Sequence, residues 1–217
     1  MRSVLAEPAQ SLSDLALGVI VVALAVRLGR SPTVHRHWRT SFWWAGIAAL
    51  AGFVHHGVVA YSERWAGPSW AFISAMVVVA VSYLLAATVA EVLGPRHRTT
   101  FWLLRSIGLT AYVVLAVTGH AGVSALLACE SLTMVSILAL WGWAAHRRHP
   151  MAGPVIVALV TSGAAAATKA IDPSLVRPVA LDPTSVYHLA QIVGMVLLYA
   201  AVSASRRPDR EPHAVAG

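Results

Sequence analysis

The sequence predicts an all-α, polytopic integral membrane protein of seven transmembrane helices. Three observations carry this: a deficit of charge, seven apolar runs of spanning length, and arginines that favour alternate connections. Of 217 residues, 58% are hydrophobic and 12% are charged, whereas soluble domains carry about 25% charged residues. Crossing roughly 30 Å of hydrocarbon takes about 20 helical residues, so seven crossings use about 140. The remainder suffices for two tails and six connections. This composition excludes a cytosolic enzyme and a receptor with a large ectodomain.

The first run spans Leu12 to Leu28, the second Phe42 to Tyr61 and the third Trp70 to Leu93. The fourth, Phe101 to Thr118, turns tightly through Gly119, His120, Ala121 and Gly122 into the fifth, Val123 to Ala145. The sixth spans Met151 to Lys169 and the seventh Ser185 to Ala204. A buried strand is far shorter than any of these. Pro32, Pro68, Pro95, Pro150 and Pro173 fall between the runs and mark boundaries. The expected organisation is a short outer N-terminal tail (1–11), one seven-helix domain (12–204) and a disordered basic cytoplasmic tail (205–217).

Counting Lys and Arg by side gives the orientation. One side holds Arg27, Arg30, Arg36, Arg39, Arg96, Arg98, Arg147, Arg148, Arg206, Arg207 and Arg210; the other holds Arg2, Arg64, Lys169 and Arg177. Arg105, near the start of the fourth helix, is expected to snorkel back to the rich side. The bias places the N-terminus outside and the C-terminus in the cytoplasm of a cell-membrane protein. Because the basic residues lie between apolar runs, the net charge of +7 reads as topology and not as a nucleic-acid footprint. Ala23-Leu24-Ala25 resembles a signal-peptide cleavage site, but Glu7, Asp14 and the four following arginines favour a retained helix. Trp43, Trp44, Trp65, Trp70, Trp102, Trp141 and Trp143 lie near helix ends, as in an aromatic belt. The lone Cys129 excludes an intramolecular disulfide and reads as a packed core residue.

Ionisable groups within hydrocarbon are costly unless paired or hydrated, which marks them as functional candidates. Asp14 opens the first helix, His55 and His56 lie near the outer end of the second, Glu130 about two turns down the fifth and His188 about one turn into the seventh. All belong to the outer half. The candidate ligands are His55, His56 and His188, and the candidate catalytic acids are Asp14 and Glu130. His55 and His56 point about 100° apart, so at most one faces the bundle axis. Gly46, Gly52 and Gly57 permit close approach of a neighbour, as does the small-residue face of Gly163 and Ala164 to Ala167. His188, Gln191, Met195 and Tyr199 form one stripe; Glu130, Thr133 and Met134 share a face, as do Asp14 and Gly18. Asp14 is alternatively a cap, within Ser11-Leu12-Ser13-Asp14. Asp182 and Thr184 are expected to cap the seventh helix, Lys169 to snorkel at the interface and His120 to serve the turn.

With Gly52-Phe53-Val54-His55-His56-Gly57 in helix two and Tyr187-His188-Leu189-Ala190-Gln191 opening helix seven, the chain resembles the alkaline ceramidase and adiponectin-receptor superfamily of seven-helix membrane hydrolases. The resemblance implies zinc held by helix-two and helix-seven histidines, with bound water attacking a lipid amide or ester. Ile192 stands where the superfamily has a second helix-seven histidine, and Ala51 or Gly52 where it has a serine. A three-ligand zinc site would then need Asp14 or Glu130 as the third ligand. The expected partners are membrane lipids and a lipid-like small-molecule substrate. Haem between two histidines, a proton-coupled transporter, an acid-catalysed intramembrane cyclase and an assembly subunit are the rival readings. Retinal is not expected, because the seventh helix has no lysine.

Overall fold

The computed structural model describes residues 5–32, 34–120, 123–168, 172 and 182–204. Among these residues the fold is all-α. The helices are α1 (Pro8–Gly29), α2 (Arg36–Gly57), α3 (Glu63–Val92), α4 (Arg98–Leu115), α5 (Val123–His146), α6 (Ala152–Ala167) and α7 (Pro183–Ala204). Each contains or largely overlaps one apolar run. Five are long and apolar enough to cross a membrane: α1, α3, α4 continued to Gly119, α5 from Ala125, and α7. α2 is as long as α1 but carries Arg36, Arg39 and three histidines, and α6 is apolar but has only 16 residues. Lys169, Pro173, Arg177 and the tail from 205 lie outside the described residues.

Local chemistry explains the ends. Proline occupies the first turn of both α1 and α7, where its missing N–H is not needed. Asp182 caps α7: its Oδ1 accepts from the N–H groups of Thr184 and Ser185, and its Oδ2 from the Ser185 hydroxyl at 2.6 Å. Pro68 departs from expectation, since it lies inside α3 rather than at a boundary. Extended Ser62 precedes the helix and acidic Glu63 suits its positive end, so α3 starts before the apolar run and tolerates one lost backbone bond. The α4–α5 turn is a π-type turn over Ala116–His120 in which Gly119 has φ +86°, a conformation natural to glycine.

The helices alternate in direction. Arginines at the end of α1, the start of α2, the α3–α4 connection and the α5–α6 connection therefore gather at one end of the bundle. Near that end the core is built from Leu28, Trp38, Phe42, Leu85, Trp141 and Val155. Trp141 does not join an aromatic belt: it is wholly buried, 6.5 Å from the Trp38 ring, and its indole N–H donates to Thr88 Oγ1 at 3.1 Å. The outward faces are apolar, with Val19, Phe72, Leu103, Val113, Val135 and Val157 all exposed. Such a surface suits lipid rather than water.

Small residues set the closest approaches. A Cβ on Gly18 would lie 2.7 Å from Leu50 Cγ, and one on Gly46 would lie 2.7 Å from Val22 Cγ2, so α1 and α2 meet nearly backbone to backbone. Gly163 was expected to serve such packing but has nothing near its missing Cβ. The α6–α7 approach instead uses Gly194, which sits against Ser162.

Candidate functional site

At the end of the bundle opposite the arginines, α1, α2 and α7 bring three of the expected residues together. Asp14 is not a cap. α1 begins at Pro8, which places Asp14 in its second turn, 5% exposed and turned towards α2. Gly52 makes room for it, since a Cβ there would lie 2.5 Å from Asp14 Oδ2. Two imidazoles face this carboxylate: His188 Nε2 is 3.4 Å from Oδ1, and His56 Nε2 is 3.9 Å from Oδ2. Backbone bonds from Ala6 N–H to the Gly57 carbonyl and from Glu7 N–H to the His56 carbonyl fasten the start of α1 to the end of α2.

The other ring nitrogens determine the tautomers. Ser13 Oγ donates to the Gln10 carbonyl at 2.9 Å, so it offers a lone pair to His188 Nδ1 at 3.0 Å, and Nδ1 carries the proton. His56 Nδ1 donates to the half-exposed Glu7 carboxylate. In the neutral imidazoles each Nε2 is then a lone pair directed at Asp14. The Asp14 carboxylate and two imidazoles thus meet on one buried spot, with Tyr187, next to His188, close enough to feel the Asp14 charge.

Of the remaining predicted residues, His55 borders the cluster, its ring 5.0 Å from that of His56, and Glu130 lies elsewhere. His55 is buried but turns towards α3, with Nδ1 3.2 Å from Ser69 Oγ and its ring 5.7 Å from Trp70. The α7 stripe divides: His188 faces α1, whereas Gln191 donates to Ser162 Oγ of α6 at 3.3 Å. Glu130 belongs to a second polar cluster between α3, α4 and α5. Arg105 does not snorkel to the arginine-rich end. It is 2% exposed and donates to Glu130 Oε1 at 3.1 Å, Thr133 Oγ1 at 2.6 Å and the Val78 carbonyl at 3.3 Å. Cys129 packs into the same cluster, with its thiol 3.4 Å from Glu130 Oε1. Gly108, one turn beyond Arg105, brings the α4 backbone against α5: its missing Cβ would lie 2.6 Å from both the Cys129 carbonyl and Thr133 Oγ1. A buried guanidinium held by a carboxylate, a hydroxyl and a carbonyl is stable where a lone one is not.

Glu130 is engaged by Arg105 and His55 by Ser69. Among the described residues, no group of three or more His, Cys, Asp or Glu side chains has the geometry to hold a metal ion. What α1, α2 and α7 do assemble is an acid–base cluster running from half-exposed Glu7 through His56 and Asp14 to His188 and Ser13.

No curated protein and no solved structure matches the chain. A family profile matches residues 9–207, which covers every helix except the start of α1. The chain belongs to this family, a family of unknown function designated DUF6962.

Proposed function

We propose that the chain spans the cell membrane seven times with its N-terminus outside, and that its outer half carries a general-base site acting on a lipid amide or ester. The orientation rests on the arginine-rich end, which the positive-inside rule assigns to the cytoplasm. The observation that carries the chemistry is the direction of two imidazole Nε2 atoms onto one buried carboxylate.

At rest, one proton lies between Asp14 and His188 and keeps that pair compatible. His56 is the base. The 3.9 Å between its Nε2 and Asp14 Oδ2 accommodates a bridging water within hydrogen-bond reach of both. As that water attacks a substrate carbonyl, the carbonyl electron pair moves onto oxygen and Nε2 takes the water's proton, while Glu7 accepts from Nδ1–H and steadies the imidazolium. On collapse the C–N or C–O bond breaks and Nε2–H gives its proton to the leaving amine or alkoxide. A lipid substrate reaches this point from the side, past the exposed apolar Leu12, Val54 and Leu189. The pairing of a helix-two with a helix-seven histidine is also what the superfamily resemblance implies. There the missing helix-two serine corresponds to Gly52, whose space Asp14 occupies.

The test uses the purified full chain in nanodiscs made from a total lipid extract, in water enriched in oxygen-18. Wild type is expected to yield a labelled carboxylic acid, and His56→Gln to reduce its rate by about 10²–10⁴-fold. No labelled product from wild type would refute the hydrolytic reading. Stoichiometric metal that disappears in His188→Ala would overturn the proton-based mechanism and restore the zinc expectation.

A further inference from the structure

The arginine-rich end holds a cavity of about 670 Å³ between the start of α2, the end of α3 and the start of α4. That volume suits a small-molecule site. Among the described residues its polar lining is one-sided: Arg36, Arg98, His35, His37, His97, Ser82 and Tyr83 contribute to it, and no Asp or Glu does. Glu91 follows the lining residue Ala90 on α3 but is not itself part of the wall. Among the described residues, two arginines therefore line one concavity that has no carboxylate in its wall, and arginine is the side chain best shaped to grip phosphate.

The backbone adds to this field. α2 begins at Arg36 and α4 at Arg98, so two helix starts border the same space, that of α2 capped by His35 Nδ1, which accepts from the His37 N–H at 3.3 Å. The imidazoles are ordered against one another: His35 and His37 lie 4.6 Å apart, and His37 lies 5.8 Å from Tyr83. Among the described residues, the buried His37 Nδ1 has no hydrogen-bond partner. The indole of Trp102, strongly exposed on the outer face of α4, stands at the rim where a lipid-water boundary would lie.

We infer that this cavity is a binding site for a phosphate-bearing anion, separate from the Asp14 cluster at the other end of the bundle. The phosphate is gripped by Arg36 and Arg98 at the two helix starts, and His35, His37 and His97 complete the wall. Two sources carry that chemistry: the headgroup of an anionic phospholipid in the adjoining leaflet, and a soluble phosphorylated compound.

The experiment measures binding of two probes to the full chain: inorganic pyrophosphate to protein in detergent, and phosphatidylglycerol against phosphatidylcholine by native mass spectrometry. Wild type is expected to bind at least one probe tenfold or more tightly than Arg36→Gln/Arg98→Gln; pyrophosphate binding assigns the soluble source and phosphatidylglycerol preference the lipid source. Ala86→Phe, which fills the cavity without changing charge, is expected to weaken binding similarly. The comparison variant Arg147→Gln/Arg148→Gln removes two exposed charges at the same end and is expected to bind as wild type does. The inference is overturned if neither probe binds, if Ala86→Phe binds with wild-type strength, or if the comparison variant loses as much as the cavity variant. Circular dichroism checks that each variant keeps its helical content.

Discussion

Arg105→Ala is expected to destabilise the bundle by about 3–5 kcal/mol, the range for removing one partner of a buried ion pair. The size follows from what remains: Glu130, mostly buried, keeps only the weak Cys129 thiol donor at its Oε1, while Thr133 and the Val78 carbonyl lose the guanidinium. Alanine at residue 105 cannot supply a donor, and water reaches the centre of three packed helices only by opening them. Replacing both partners tests the argument more sharply. Arg105→Met/Glu130→Leu removes both charges, fills similar volume and is expected to recover most of the loss. Denaturant unfolding in mild detergent would read both. A loss below about 1 kcal/mol in Arg105→Ala would mean that the guanidinium is solvated after all.

Gly52→Val is expected to have the second large effect, and on two readouts. A Cβ there would fall 2.5 Å from Asp14 Oδ2, so the carboxylate must leave its place between His56 and His188 or α1 must move off α2. Overpacking of this kind costs about 1–3 kcal/mol. Displacing Asp14 also dismantles the acid–base cluster, so any activity that depends on it falls with the stability. Gly163→Ala supplies the contrast. Nothing lies near its missing Cβ, and exchanging a mid-helix glycine for alanine is expected to add about 0.5–1 kcal/mol. Equal behaviour of the two variants in thermal unfolding would refute the claim that Gly52 is a designed approach.

The helices were legible because hydropathy has a length scale: every apolar run of the sequence lies largely within a helix of the structure. Their ends were less legible, since caps and first turns are polar. Pro68 was misplaced because proline early in a helix costs little, and α1 starts earlier than its apolar run for the same reason. The convergence of Asp14, His56 and His188 needed three dimensions. Helical phase said only that His55 and His56 diverge, and which one met Asp14 depended on the depth that Gly52 allows α1.

Arg105 was misread for a definable reason. Its distance from the start of the helix suggested snorkelling, whereas the signal lay in register. Gly108 and Thr133 are equidistant from the Gly119–Gly122 turn, so folding the hairpin sets them opposite each other. Arg105 shares a face with Gly108, and Glu130 with Thr133. Opposite charges on the facing sides of a helical hairpin, next to a glycine that lets the backbones meet, indicate a buried pair rather than an interfacial cation.

Nitrogen-15 NMR of histidine-labelled protein tests most directly whether Asp14, His56 and His188 act as one proton-sharing unit. In wild type, the ring nitrogens of His56 and His188 should report protonated Nδ1, with Nε2 of His188 sharing a proton. Asp14→Asn should shift the resonances of both histidines together and shift those of His55, held by Ser69, less. A spectrum in which His56 and His188 ignore the Asp14 substitution, or in which Nε2 carries the proton in both, would contradict the account.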